Sequence, residues 1–177
     1  MLSRLRATAC VALLFGLLVG LTLPARAADT AAAPVEPAWI WGPEATGNYR
    51  LVKRFTGPAA TAGIVTSADD AVTLFLNGEK LGQSGEWNKP LRINLTGRIR
   101  DGENELVAVV TNTNGGAGFG CRLDLVAADG SARSIASDET WSGFDTAGSP
   151  RPVAVKVTVP AGKAPFNGLL AITAPMA

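Results

Sequence analysis

At 177 residues the chain has room for one domain of ordinary size plus short extensions, and 16 basic against 15 acidic residues leave no surplus charge to grip a polyanion. Histidine is absent, which removes the commonest general base and metal ligand, and with it Ser-His-Asp, Cys-His and ordinary zinc chemistry. These counts argue against a nucleic-acid partner and against most hydrolytic mechanisms.

Residues 1–27 read as a secretory signal peptide. Arg4 and Arg6 make a basic start, residues 9–23 form an apolar run broken by Gly16 and Gly20, and Pro24 precedes the small-x-small site Ala25-Arg26-Ala27. The run is too short for a stable membrane anchor. Cys10 lacks the small-residue context that lipid attachment requires. Cleavage after Ala27 predicts an exported chain, periplasmic or extracellular. Three of the 16 basic residues lie in the signal, so 13 remain against 15 acids, a net charge of about −2. Residues 28–38 (ADTAAAPVEPA) predict an Ala/Pro-rich tether, 39–173 the folded domain and 174–177 a tail, with Phe166 packing back on the domain. Cys121 is then the single cysteine, so no intramolecular disulfide forms. With no histidine to activate it, Cys121 reads as a buried small hydrophobe.

From the tether onward the pattern is strands and turns. Residues 49–55 and 63–67 are short β-rich runs, and Val72, Leu74 and Leu76 alternate with Thr73, Phe75 and Asn77. Asn77-Gly78 predicts a type I′ hairpin into residues 80–82, followed by a long connection from Gly82 to Pro90. Residues 91–95 alternate again. Residues 100–104 form a turn, and 105–111 are apolar on both faces, as a central strand requires. Phe119, Cys121, Leu123 and Leu125 share a face. Asp129-Gly130 predicts a second two-residue hairpin into residues 132–137, and Val153, Val155, Val157 and Val159 line one face of a last strand. Eight to ten short strands with wet outer faces and no crossover helix define an all-β, antiparallel β-sandwich, of Greek-key or jelly-roll topology.

Little else carries chemistry. Asn114-Gly115-Gly116-Ala117-Gly118 lacks the lysine and helix of a phosphate cradle and reads as a turn between strands. Asp69-Asp70 is the only adjacent aspartate pair. At a strand opening it reads as a turn element first, as hard oxygen ligands for calcium second, and as a hydrolase's carboxylates last. No other cofactor is implied.

Asp69-Asp70, Leu76-Asn77-Gly78, Trp87-Asn88, Leu95-Thr96 and Gly102-Glu103-Asn104, in that order, resemble the galactose-binding-domain-like jelly rolls. The sequence is similar to the sugar-binding accessory domain of family 2 glycoside hydrolases and to the modules of bacterial α-L-rhamnosidases. Trp39-Ile40-Trp41 and residues 137–141 match the modules' opening and closing strands, so the likeness spans roughly residues 39–168. It implies a non-catalytic module that either binds sugar or braces another domain.

A sugar site joins an aromatic ring with amides and acids, and Trp87 between Glu86 and Asn88 is the best candidate, unless Trp87 folds back to cap the core. Asn112 and Asn114 beside the glycine-rich turn add polar contacts or serve as turn residues. Trp39, Trp41 and Trp141 read as packing. In a bacterial host the Asn94-Leu95-Thr96 sequon carries no glycan. The expectation is an exported carbohydrate-binding module with a glycan partner; docking to another exported protein ranks second and a small carboxylate hydrolase third.

Overall fold

The computed structural model describes residues 35–158, and every regular element among them is a β-strand. In chain order these begin with β1 (Ile40–Trp41), β2 (Gly47–Gly57), β3 (Thr61–Asp69), β4 (Ala71–Leu76), β5 (Glu79–Ser84) and β6 (Leu91–Asn94). They continue with β7 (Gly102–Asn112), β8 (Gly118–Val126), β9 (Ala132–Ala136), β10 (Ser142–Asp145), β11 (Arg151–Val153) and β12 (Lys156–Val157). One sheet runs β12-β1-β8-β3-β6, with β9 also on β8; the other runs β11-β10-β2-β7-β4-β5. Every pairing is antiparallel. This is the all-β sandwich that the alternation predicts.

The core lies between the two inner faces. Leu51 of β2, Leu74 of β4, Leu106 and Ala108 of β7 meet Ile64 of β3 and Phe119, Cys121 and Leu123 of β8 there. Their strands alternate because successive residues of a pleated strand face opposite ways. β7 is central, paired with β2 from Gly102↔Gly57 to Asn112↔Gly47 and with β4 on its other side. Its outward Val107 is buried as well, which accounts for the two apolar faces of residues 105–111. Trp39, Trp41 and Trp141 are all buried. Trp41 meets Tyr49 edge to face with ring centroids 5.6 Å apart, and Phe119 meets Trp141 at 5.3 Å. The Trp41 indole N–H donates to the Glu44 carbonyl and that of Trp141 to the Ala136 carbonyl, both at 3.0 Å.

Turn chemistry closes the strands. Asn77 and Gly78 have φ of 52° and 84°, as a type I′ turn demands. The Asn77 Nδ2 also donates to Asn104 Oδ1 at 2.9 Å, and Glu105 N donates back to Asn77 Oδ1 at 2.9 Å. Asn104 is itself buried, bonding Arg100 N, Arg100 O and Gly102 O. Gly57 is bare by necessity, since a Cβ there would stand 2.1 Å from the Arg100 carbonyl. In Asn94-Leu95-Thr96 the Asn94 Oδ1 accepts from Thr96 N at 2.9 Å, a local turn.

Four expectations need correction. Asp129-Gly130 sits in a three-residue turn, not a two-residue one. Ala127 N donates to Ser131 O and Gly130 N to Ala127 O, while Asp129 Oδ1 accepts from Ser131 N. The aspartate's own bond to the backbone selects the wider turn. The strand drawn through Val153–Val157 is broken at Ala154–Val155: β11 joins one sheet and β12 the other. A chain passing between two layers cannot keep one face, so Val153 and Val155 pack inward while Val157 is exposed. The connection expected from Gly82 is shorter, because β5 runs on to Ser84 opposite Val72. Gly102–Asn104 open β7 rather than form the turn, for Asn104 is drawn inward by its bonds. Residue 159, Phe166 and the proposed signal peptide, most of the tether and the tail lie outside the described residues.

The first and last described strands lie side by side. Ile40 pairs with Val157 and Trp41 with Lys156, and Thr158 N donates to Trp39 O at 2.8 Å.

Candidate functional site

Strand register gathers several connections at one end of the sandwich. Asp69 pairs with Gly118, Ala71 with Thr111, Val72 with Ser84 and Gly47 with Asn112. The segments 42–46, 69–70, 85–90 and 113–117 therefore emerge together. All the candidate residues lie in them or at their edges.

The 85–90 loop is tied down at three points. The Ser67 hydroxyl on the outer face of β3 donates to the Trp87 carbonyl. Ser84 Oγ donates to the Lys89 carbonyl at 3.0 Å, and Lys89 N to the Glu86 carbonyl at 3.1 Å. Glu86 pairs with Lys89 at 2.8 Å, an exposed i,i+3 bridge that shapes the loop. Trp87 is 36% exposed and is not one of the buried residues of the core cluster. Asn88 is exposed beside it.

The second segment is stapled from the opposite side. Asp70 Oδ2 accepts from Thr113 N at 3.0 Å and from Thr113 Oγ1 at 2.6 Å, and Asp70 N donates to Thr111 O. The Asp69-Asp70 pair thus serves a turn of another segment as well as its own. Asp69 is buried and the peptide joining the two is cis. Asn112 is buried; its Nδ2 donates to the Ala45 carbonyl at 2.8 Å and pins the 42–46 segment. Its Oδ1 is buried with no hydrogen-bond partner among the described residues. Asn114 is exposed, with Nδ2 3.3 Å from Thr113 Oγ1. Residues 69–70 and 112–114 therefore form one linked cluster. Trp87 joins the same end through Ser67, two residues before Asp69. For calcium, the described residues hold no group of three or more carboxylate, cysteine or histidine side chains. Asp69 and Asp70 remain the hard oxygens of this end.

Cys121 is fully buried and free. Burial raises its thiol pKa far above the ordinary value; a hydrogen bond with Thr66 lowers it only in part, and the charge of Asp124 adds to the rise. It is an inert core residue. No described helix is long and apolar enough to cross a membrane.

Two features had no counterpart in the sequence reading: the Asp70–Thr113 staple and a cleft on the outer face of β2 and β10. The cleft is lined by Arg50, Lys53, Arg54, Glu105, Thr140 and Phe144, among others. Its sequence signal was the Arg50-Leu51-Val52-Lys53-Arg54 alternation, which places two arginines on one strand face.

Strand order and register together define an antiparallel β-sandwich. Known structures share it. An α-L-rhamnosidase of Streptomyces avermitilis complexed with L-rhamnose aligns over 77% of this chain and 16% of its own, at 24% identity and a TM-score of 0.62. A lectin of Pleurotus ostreatus aligns over 73% of this chain and 43% of its own, at 22% identity and a TM-score of 0.63. A family 78 rhamnosidase of Bacillus sp. GL1 aligns over 62% and 13%, at 23% identity and 0.52. The chain thus spans less than half the length of each. A scan against protein-family models matches none, and no curated protein matches.

Proposed function

We propose that the chain is a non-catalytic carbohydrate-binding module of an exported protein, which holds a glycan at the loop end of the sandwich. The carrying observation is the half-exposed Trp87, fixed by its own carbonyl to Ser67, at the end that also presents Asp69, Asp70, Asn112 and Asn114. An indole offers a sugar's C–H face a flat apolar surface, and amides and carboxylates bond its hydroxyls. Trp87 supplies the stacking ring, and Glu86 and Asn88 the rim. Asn114 adds polar contacts from the 113–117 segment, and the buried Asn112 holds the 42–46 segment beside it. The lectin neighbours support this reading, one of them solved in complex with GalNAc, as does the rhamnosidase solved with L-rhamnose. Calcium bound through Asp69 and Asp70 belongs to the same proposal.

The test is retention of the purified domain on soluble and insoluble glycans, with and without calcium, beside Trp87→Ala and Asn114→Ala. Retention of wild type on one neutral glycan class, lost at least tenfold in Trp87→Ala, is the expected result. Wild type retained by none, with or without calcium, overturns the sugar reading and leaves a protein partner as the reading to pursue.

A further inference from the structure

The outer face of β2 carries Arg50, Val52 and Arg54 in alternation, and β10 beside it carries Ser142 and Phe144. Between them lies a cleft of about 340 Å³, at the small end of the ~300–1,000 Å³ range of small-ligand clefts. It belongs to the outer face of the β2–β10 sheet and not to the connections at the loop end.

Its floor is apolar, with Val52 buried and Phe144 half-buried. Its walls are cationic. Arg50 Nη2 lies 3.3 Å from Glu105 Oε1, Arg54 Nη2 lies 3.2 Å from Glu105 Oε2, and Arg50 stacks over the Phe144 ring at 5.8 Å. One carboxylate therefore holds two guanidiniums over the cleft. Each guanidinium has five N–H donors in a planar fork. Glu105 takes one from Arg50 and two from Arg54. Lys53 adds a third cation; it is bonded to Thr140 Oγ1 and lies 3.7 Å from Asp138. Glu103, 4.0 Å from Arg54, is exposed at the edge. The lining itself holds three cations and one anion. Ser142 Oγ adds an exposed hydroxyl at the rim.

We propose that this cleft is a second binding site, for a carboxylate-bearing sugar unit of an acidic glycan. The outward N–H edges of Arg50 and Arg54 take the carboxylate, as they already take that of Glu105. The Val52 floor meets the C–H face of the ring, and the Ser142 hydroxyl bonds a ring hydroxyl. The site goes beyond the loop-end reading and stands if that end takes no sugar.

The experiment measures binding of a trigalacturonate and of a neutral galactose trisaccharide by calorimetry. The chains are wild type, Arg50→Gln, Arg54→Gln, Arg50→Lys and Trp87→Ala, with thermal melting as a check on folding. The expected result is trigalacturonate binding that weakens with salt. It falls at least tenfold in each Gln variant, several-fold in Arg50→Lys and less than twofold in Trp87→Ala. Absence of trigalacturonate binding overturns the proposal, as does loss in Trp87→Ala with the Gln variants unchanged. Equal binding of poly-glutamate also overturns it, because charge alone then explains the affinity. Should a Gln variant fail to fold, Arg50→Lys decides: binding as tight as wild type sinks the guanidinium contact.

Discussion

The side-chain amides of Asn77 and Asn104 bond each other at 2.9 Å, so the turn that ends β4 is fastened to the start of the central strand 27 residues later. Asn104 adds bonds to Arg100 N, Arg100 O and Gly102 O. Its removal strands several buried polar groups at once. Asn104→Ala is expected to cost about 3 kcal/mol, more than the ~1 kcal/mol of one ordinary hydrogen bond. Asn104→Asp, which keeps the acceptor and loses the donors, is expected to fall between. Urea unfolding of the three proteins checks the order.

Asp70 accepts both the backbone N–H and the hydroxyl of Thr113. Asp70→Ala is expected to cost roughly 1–3 kcal/mol and to free the 113–117 segment locally. Hydrogen exchange at Thr113 and Asn114 is expected to accelerate while the centre of β7 stays protected. Uniform acceleration across the sandwich would contradict a local staple.

Cys121 lies fully buried among core side chains and its thiol is held neutral. It is expected to resist a thiol-specific reagent in the native protein and to react at once in urea. Cys121→Ala, which removes one buried sulfur, is expected to cost about 1–2 kcal/mol. Rapid labelling of the native chain would show that β8 opens more readily than its central place implies.

Asp138 sits at the edge of the arginine cleft with its pKa below the ordinary value. Burial pulls it upward, but the hydroxyl and backbone N–H of Thr140 and the charge of Lys53 outweigh burial. A lowered pKa means the ionised form stabilises the fold above about pH 4 and that this contribution is lost as pH falls through the native value. Thr140→Ala is therefore expected to be less stable than wild type at pH 7, by under ~1 kcal/mol for so exposed a group, and the gap is expected to narrow at pH 2, where only the bond from Lys53 remains to be lost. Urea unfolding at the two pH values measures the gap.

Much of the sandwich was legible because period-two alternation is a local property. Val72-Leu74-Leu76 and Phe119-Cys121-Leu123-Leu125 point inward as their spacing dictates, and Asn77-Gly78 turns as its φ preferences require. The failures are where a residue answers to something distant. The valines of 153–157 alternate, yet the chain changes sheets between them. Asn104 resembles a turn residue until Asn77 and Arg100 draw it inside. At the candidate site, Trp87 was visible as an aromatic in a loop. Its Ser67 tether and the Asp70–Thr113 link join segments 20 and 43 residues apart, and no spacing rule reports those. The arginine cleft likewise needed the pairing of β10 with β2.

Trp39 and Thr158 are joined by a backbone hydrogen bond, and β1 and β12 are neighbours. A host chain that enters at Trp39 and leaves at Thr158 has these two points about one strand spacing apart, roughly 5 Å. The same proximity allows residues 39 and 158 to be linked directly and the described segment reopened elsewhere, for example in the 127–131 turn far from the loop end. To anything attached at these points, the sandwich hangs from a single place on the host's surface.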